Sequence, residues 1–122
     1  MIGYVSVGTN DWKRGLAFYD ALMKELGAKR VMDYETFVAW KRPAGGPGFA
    51  LALPYDKKAA TVGNGSMVAF EVGKPADVEA LYQKALSLGA KDEGPPGDRG
   101  DGYYGAYFRD PDGNKLNFHC WT

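Results

Sequence analysis

The 122-residue sequence predicts an α+β fold of two βαβββ modules, whose four-stranded sheets pair into an open cup with the helices outside. Three observations lead there. Two stretches of helical periodicity, each preceded by one extended run and followed by three, give the chain the same element order twice. The tetrapeptide Leu-Gly-Ala-Lys stands at positions 26–29 and again at 88–91, each time where a helix should end and a strand begin, which marks an internal duplication. A sheet covered by a helix on one face also leaves its other face bare, and two such faces find apolar cover by facing each other.

The first module covers about residues 1–54 and the second about 66–122, within a single domain. Between Met1 and Gly8 the apolar Ile2, Val5 and Val7 are punctuated by Tyr4 and Ser6, as in a half-buried strand. Asp11 is placed to cap the helix that follows. Trp12, Leu16, Tyr19, Met23 and Leu26 recur at steps of four and three, and Gly27 stands where a helix C-terminus favours it. Extended runs follow at Lys29–Tyr34, Thr36–Arg42 and Phe49–Leu53, with turn material from Pro43 to Gly48. After the polar segment Tyr55–Gly65 the order repeats with a strand at Met67–Val72. Pro75 opens a helix whose stripe is Val78, Leu81, Tyr82, Ala85 and Leu88, and Gly89 ends it. Strands at Ala90–Glu93, Tyr103–Arg109 and Lys115–Cys120 complete the module, with Gly94-Pro95-Pro96-Gly97 and Asp110-Pro111-Asp112-Gly113 as turns.

Composition narrows the function. A hydrophobic content of 45% supports a real core, and fifteen basic residues balance fifteen acidic ones, so no net field steers nucleic acid or an anionic membrane to this chain. The segment Met1–Gly8 is too short, and lacks the basic lead, to be a signal peptide or a membrane span, so the expected location is cytoplasmic. One cysteine, Cys120, makes no internal disulfide, and one cysteine with one histidine, His119, cannot complete a four-ligand zinc site.

Strand side chains alternate faces. If Val5 and Val7 pack under the helix, Tyr4 and Ser6 face the cup, and Met67 and Glu71 do so in the second module. Packing Ala106 and Phe108 against the helix turns Tyr103 and Tyr107 inward, and Asn117 brings His119 with it. Such a lining suits a flat or partly aromatic organic ligand; the competing reading is that the tyrosines simply fill the space. Glu71 is the candidate catalytic base, because a carboxylate withdrawn from water holds its proton more tightly, whereas a solvated one is ordinary. His119 is a candidate acid/base partner or a half-exposed structural residue. Cys120, its neighbour, points the other way, so the two form no nucleophile–base pair. The run Asp110–Asn114 resembles the start of a calcium loop but has Lys115 where that loop needs glycine, and reads as a hairpin turn. The Gly/Pro-rich segment from Glu93 to Gly105 is expected to lie over the cup mouth as a loop and present Arg99 to an anionic ligand. No Gly-rich phosphate loop joins a strand to a helix.

Three segments carry a family resemblance: Tyr4-Val5-Ser6-Val7 with Asp11 and Phe18-Tyr19; Met67-Val68-Ala69-Phe70-Glu71-Val72; and Phe108-Arg109-Asp110-Pro111-Asp112-Gly113-Asn114-Lys115-Leu116. With them the chain resembles the vicinal oxygen chelate superfamily of glyoxalase I, extradiol dioxygenases and bleomycin-resistance proteins. The resemblance implies the paired-module fold and a homodimer. In the catalytic relatives it also implies a divalent metal, held by a histidine on each module's first strand and a carboxylate or amide on each last strand. Here Tyr4 and Met67 occupy the first-strand positions, Asn117 stands at the second module's last strand, and Phe49–Leu53 offers no ligand in any register. The expectation is therefore a protein that binds a small organic molecule in a tyrosine-lined cup without metal. The alternatives are a metal-dependent lyase or isomerase similar to glyoxalase I (lactoylglutathione lyase-like), with Glu71 and Asn117 as seeds of a metal site, and a metal-free enzyme with Glu71 as base and Tyr4 or Tyr107 hydrogen-bonding the oxyanion. Whether the protein is an enzyme stays open at this point.

Overall fold

The computed structural model describes all 122 residues, which divide into two compact units, Met1–Val62 and Gly63–Thr122. The first contains β1 (Tyr4–Gly8), α1 (Trp12–Glu25), β2 (Lys29–Asp33), β3 (Phe37–Lys41) and β4 (Gly48–Ala52). Its sheet runs in the order β1-β4-β3-β2, with β1 parallel to β4 and the other pairs antiparallel. The Asp11 carboxylate accepts from the Arg14 amide and caps α1 as expected.

The buried face of α1 is Gly15, Phe18, Tyr19, Leu22 and Met23, turned partly away from the stripe expected from sequence: Trp12, Leu16 and Leu26 are only half-covered. Gly15 accounts for the turn. A Cβ there would lie 2.7 Å from Leu51 Cδ2, so the bare backbone lets β4 come close and brings Phe18 and Leu22 inward. Tyr19 then packs its ring 4.8 Å from Phe49 and 6.0 Å from Trp40, centroid to centroid. Asp20 secures the edge of this core. It accepts from Trp40 Nε1 at 2.9 Å and from Arg30 Nε and Nη2 at 2.9 and 2.6 Å, while Arg30 also reaches Asp33. The Arg30 bond holds the Asp20 carboxyl below the usual carboxylate range, with partial burial acting against it.

The second unit repeats the plan with β5 (Val68–Glu71), α2 (Pro75–Ser87), β6 (Lys91–Asp98), β7 (Tyr103–Arg109) and β8 (Lys115–Trp121). Its order is β5-β8-β7-β6, with β5 parallel to β8 and the rest antiparallel. The two Leu-Gly-Ala-Lys segments close their helices identically. Gly27 and Gly89 both have positive φ; Ala28 donates to Met23 O as Ala90 does to Ala85 O, and Gly27 to Lys24 O as Gly89 to Leu86 O. Both are Schellman motifs. One further pair keeps the offset that separates Leu26 from Leu88: Tyr82 stands for Asp20 and Asp92 for Arg30, and the Tyr82 hydroxyl donates to Asp92 at 2.8 Å.

Two local expectations change. Gly94-Pro95-Pro96-Gly97 is not a turn; it lies within the long edge strand β6, whose pairing with β7 slips between Asp92 and Gly94 and again between Gly94 and Gly97. An edge strand tolerates both prolines because one row of its N–H groups has no ladder partner to lose. β5 starts at Val68, leaving Met67 just outside the sheet. Asp110 does form the hairpin turn, buried and accepting from the amides of Asp112 and Asn114. No helix is long and apolar enough to cross a membrane.

Candidate functional site

In the second unit one sheet face is committed to α2. Ala106, Phe108, Leu116, Phe118 and Cys120 are buried, and the hydroxyl of Tyr104, also on this side, donates to Glu79 on the helix. Alternation sends Tyr103, Gly105 and Tyr107 of β7, and Lys115, Asn117, His119 and Trp121 of β8, to the other face. Register aligns Gly105 with His119, Tyr107 with Asn117, and Glu71 of β5 with His119.

Asn117 organises this face. It is fully buried, its Nδ2 donates to the Ala106 carbonyl at 3.1 Å, and that bond turns Oδ1 toward the face. Oδ1 accepts from the Tyr103 hydroxyl at 3.1 Å and lies 2.7 Å from His119 Nδ1. A neutral histidine beside an acceptor must place its proton on the facing nitrogen, so Nδ1 carries the hydrogen and Nε2 keeps its lone pair. Nε2 points toward Glu71, whose Oε1 is 3.9 Å away. The Tyr103 ring stacks on His119 with centroids 4.9 Å apart and planes at 14°, and Trp121 meets Tyr103 edge-on at 5.0 Å. Gly105 makes the stack possible, since a Cβ there would lie 2.8 Å from Tyr103 Cε1. Burial, with the Tyr107 hydroxyl beside it, pushes the Tyr103 phenol up to about 12, so it remains a hydrogen-bond donor at neutral pH.

Six of the residues picked from sequence gather here: Glu71, Arg99, Tyr103, Tyr107, Asn117 and His119. Glu71 has the expected face but not the expected desolvation, because its side chain is 68% exposed while that of His119 is 11% exposed. Arg99 is not on an open loop. It follows the end of β6 directly, its amide bonded to Tyr103 O in a tight turn, and its guanidinium lies over the Tyr107 ring. Tyr4 and Ser6 belong to the first unit. Tyr4 is exposed and meets Phe37 edge-on at 5.6 Å, and Ser6 lines an open pocket of about 1100 Å³ with Thr36, Phe37, Pro54 and Tyr55. Met67 is exposed ahead of β5. Lys115 and Trp121 were missed, although the alternation that selects Asn117 and His119 selects them too.

The profile of the glyoxalase/bleomycin resistance protein/dioxygenase superfamily matches residues 1–118. The chain belongs to that superfamily. Among solved structures it is similar to a glyoxalase/bleomycin resistance protein from Albidiferax ferrireducens T118, at 35% identity over 100% of this chain and 99% of that one, with a TM-score of 0.90. A family enzyme from Burkholderia phytofirmans PsJN (18% identity, 98% of both chains, TM-score 0.78) shares the fold. So does the lactoylglutathione lyase of Agrobacterium tumefaciens (20% identity, 98% of this chain and 92% of that one, TM-score 0.74). No curated protein matches the chain at comparable significance.

The superfamily's divalent metal can be tested against the donors present. No three His, Cys, Asp or Glu side chains come together anywhere in the chain. On the second unit's face Asn117 spends its amide oxygen on Tyr103 and His119, leaving His119 Nε2 and the Glu71 carboxylate as donors. Two protein donors fall short of the three or four that hold a catalytic divalent ion. The residues of this face do not fit the metal.

Proposed function

We propose that the second unit's face binds a small organic molecule with a flat, at least partly aromatic body, without a metal, and that the protein works as a homodimer. One observation carries the reading. Tyr103 and His119 are stacked, locked through Asn117, and sit on a sheet face that the unit's own helix does not cover. Aromatic groups held in one geometry before a ligand arrives lose little entropy when it binds, and the Tyr103 hydroxyl and His119 imidazole supply a polar rim for orientation. The test is protein-detected NMR with naphthalene- and quinoline-based probes, run alongside metal analysis of protein purified without a metal-affinity step. Shifts confined to Tyr103, Tyr107, Asn117 and His119 are expected. A tightly held ion at about one per chain would instead restore the metal-dependent lyase reading.

A second reading rests on the His119 tautomer. With Nδ1–H fixed on Asn117, Nε2 is a basic lone pair beside an exposed carboxylate, an arrangement suited to metal-free proton abstraction. In this reading the base is His119, and Glu71 stabilises the imidazolium that forms. Deuterium uptake at an activated C–H of a bound ketone probe, lost in His119→Gln, supports it; no uptake over long incubation leaves a binding protein.

A further inference from the structure

Three arginines of this chain are matched to carboxylates. Arg30 is bonded to Asp20 and Asp33, Arg109 to Glu93, and Arg14 lies near Asp11. Arg99 and Lys115 instead converge on one ring. The guanidinium carbon of Arg99 is 5.4 Å, and the Lys115 ammonium 5.5 Å, from the Tyr107 centroid. Neither has a carboxylate partner, and the one side-chain hydrogen bond of Arg99 runs from Nη2 to the Pro95 carbonyl at 2.6 Å.

The backbone is shaped around that guanidinium. A Cβ at Gly97 would lie 2.8 Å from Nη1 and one at Gly94 3.3 Å from Nη2, so the two glycines of the bulged β6 segment leave the room in which Arg99 lies. Most of the fork of N–H donors remains unspent. Each of the two cations lies against the Tyr107 ring without a carboxylate of its own, and an anion placed at that ring is attracted by both. Of the carboxylates on this face, Glu93 is spent on Arg109, and Glu71 stands on β5, across β8 from Tyr107, so neither serves Arg99 or Lys115.

We propose that Arg99 and Lys115 are the anion-recognising end of this face. On that assignment the ligand is a planar organic carboxylate, with its charged end at Tyr107 and its flat body along the Tyr103–His119 pair. The planar guanidinium fork matches a carboxylate, and Lys115 adds a point charge. The inference rests on the small-ligand reading above and adds the sign of the ligand's charge.

The test compares naphthoate with neutral naphthamide by backbone-amide NMR, on the unaltered protein and on the double variant Arg99→Gln/Lys115→Gln. Both probes should move the resonances of Tyr103, Tyr107, Asn117 and His119. Naphthoate should bind roughly tenfold more tightly, and that preference should vanish in the double variant and shrink with added sodium chloride. Equal affinities, or a preference that survives the double substitution, would overturn the charge assignment while leaving the small-ligand reading intact. If neither probe moves those resonances, both fall. Should the double variant fail to fold, the salt series on the unaltered protein decides, and a naphthoate preference indifferent to salt rejects the proposal.

Discussion

Asn117 shows how one buried amide can set the chemistry of its neighbours. Its donor end is bonded to Ala106 O, so its acceptor end must serve Tyr103 and His119 together. Asn117→Ala should cost about 1–3 kcal/mol in a urea titration, because three groups lose a partner at once. Imidazole nitrogen shifts should then show His119 no longer confined to the Nδ1–H form. Tyr103 makes a pH-dependent contribution of definite sign. Its phenol stands at about 12 in the folded chain against an ordinary 10, so the folded state holds this proton more tightly. The stability it adds is complete below pH 10 and is lost as pH rises through 12. Tyr103→Phe should flatten that part of the alkaline unfolding profile followed by circular dichroism. Burial pushes Tyr82 and Tyr104 upward as well, so some alkaline loss will persist in the variant.

At the scale of elements, the two modules lock helix to second strand at equivalent places with different chemistry. In the first, Asp20 joins Arg30 and Trp40; in the second, Tyr82 joins Asp92. Asp20→Ala leaves the Trp40 indole N–H without its partner inside the core and should destabilise by about 1–3 kcal/mol by denaturant titration. Tyr82→Phe deletes one hydrogen bond while keeping the ring, and should cost about 1 kcal/mol. Gly15→Ala should be costly despite the better helix propensity of alanine, by about 1–3 kcal/mol, because its methyl would press on Leu51. Sequence reading located both helices, the Asp11 cap, Pro75 at the start of α2 and the two glycines that end the helices, since capping and periodicity are encoded within a few adjacent residues. It turned the α1 stripe partly to the wrong side because Gly15 counts as a gap in an apolar pattern, whereas in the packed unit it is the point of closest approach. It also read Gly94–Gly97 as a turn, because local rules do not say that a segment will be an edge strand, where proline is tolerated.

For the molecule as a whole, the expected homodimer should appear as a mass of two chains in light scattering, and a single-chain mass at micromolar concentration would reject it. Each unit's sheet has a free edge on either side, and Val31, Met32, Tyr34 and Trp121 are among the apolar residues left exposed, which is surface available to a partner copy. The sequence by itself determined the duplicated βαβββ order, the ends of the helices, and which residues of β7 and β8 share a face, because each follows from propensity, capping or alternation along the chain. Tertiary structure alone decided that Tyr103 stacks on His119, that Asn117 fixes the imidazole proton, and that Arg99 folds across two glycines onto Tyr107. The Tyr103 stack and the Arg99 contact depend on strand register, a β-bulge and the absence of a Cβ. Asn117 and His119 are only two residues apart, but it is the bond from Asn117 to Ala106 O across the strand pair that turns the amide oxygen to the imidazole, and none of these leaves a periodic mark on the chain.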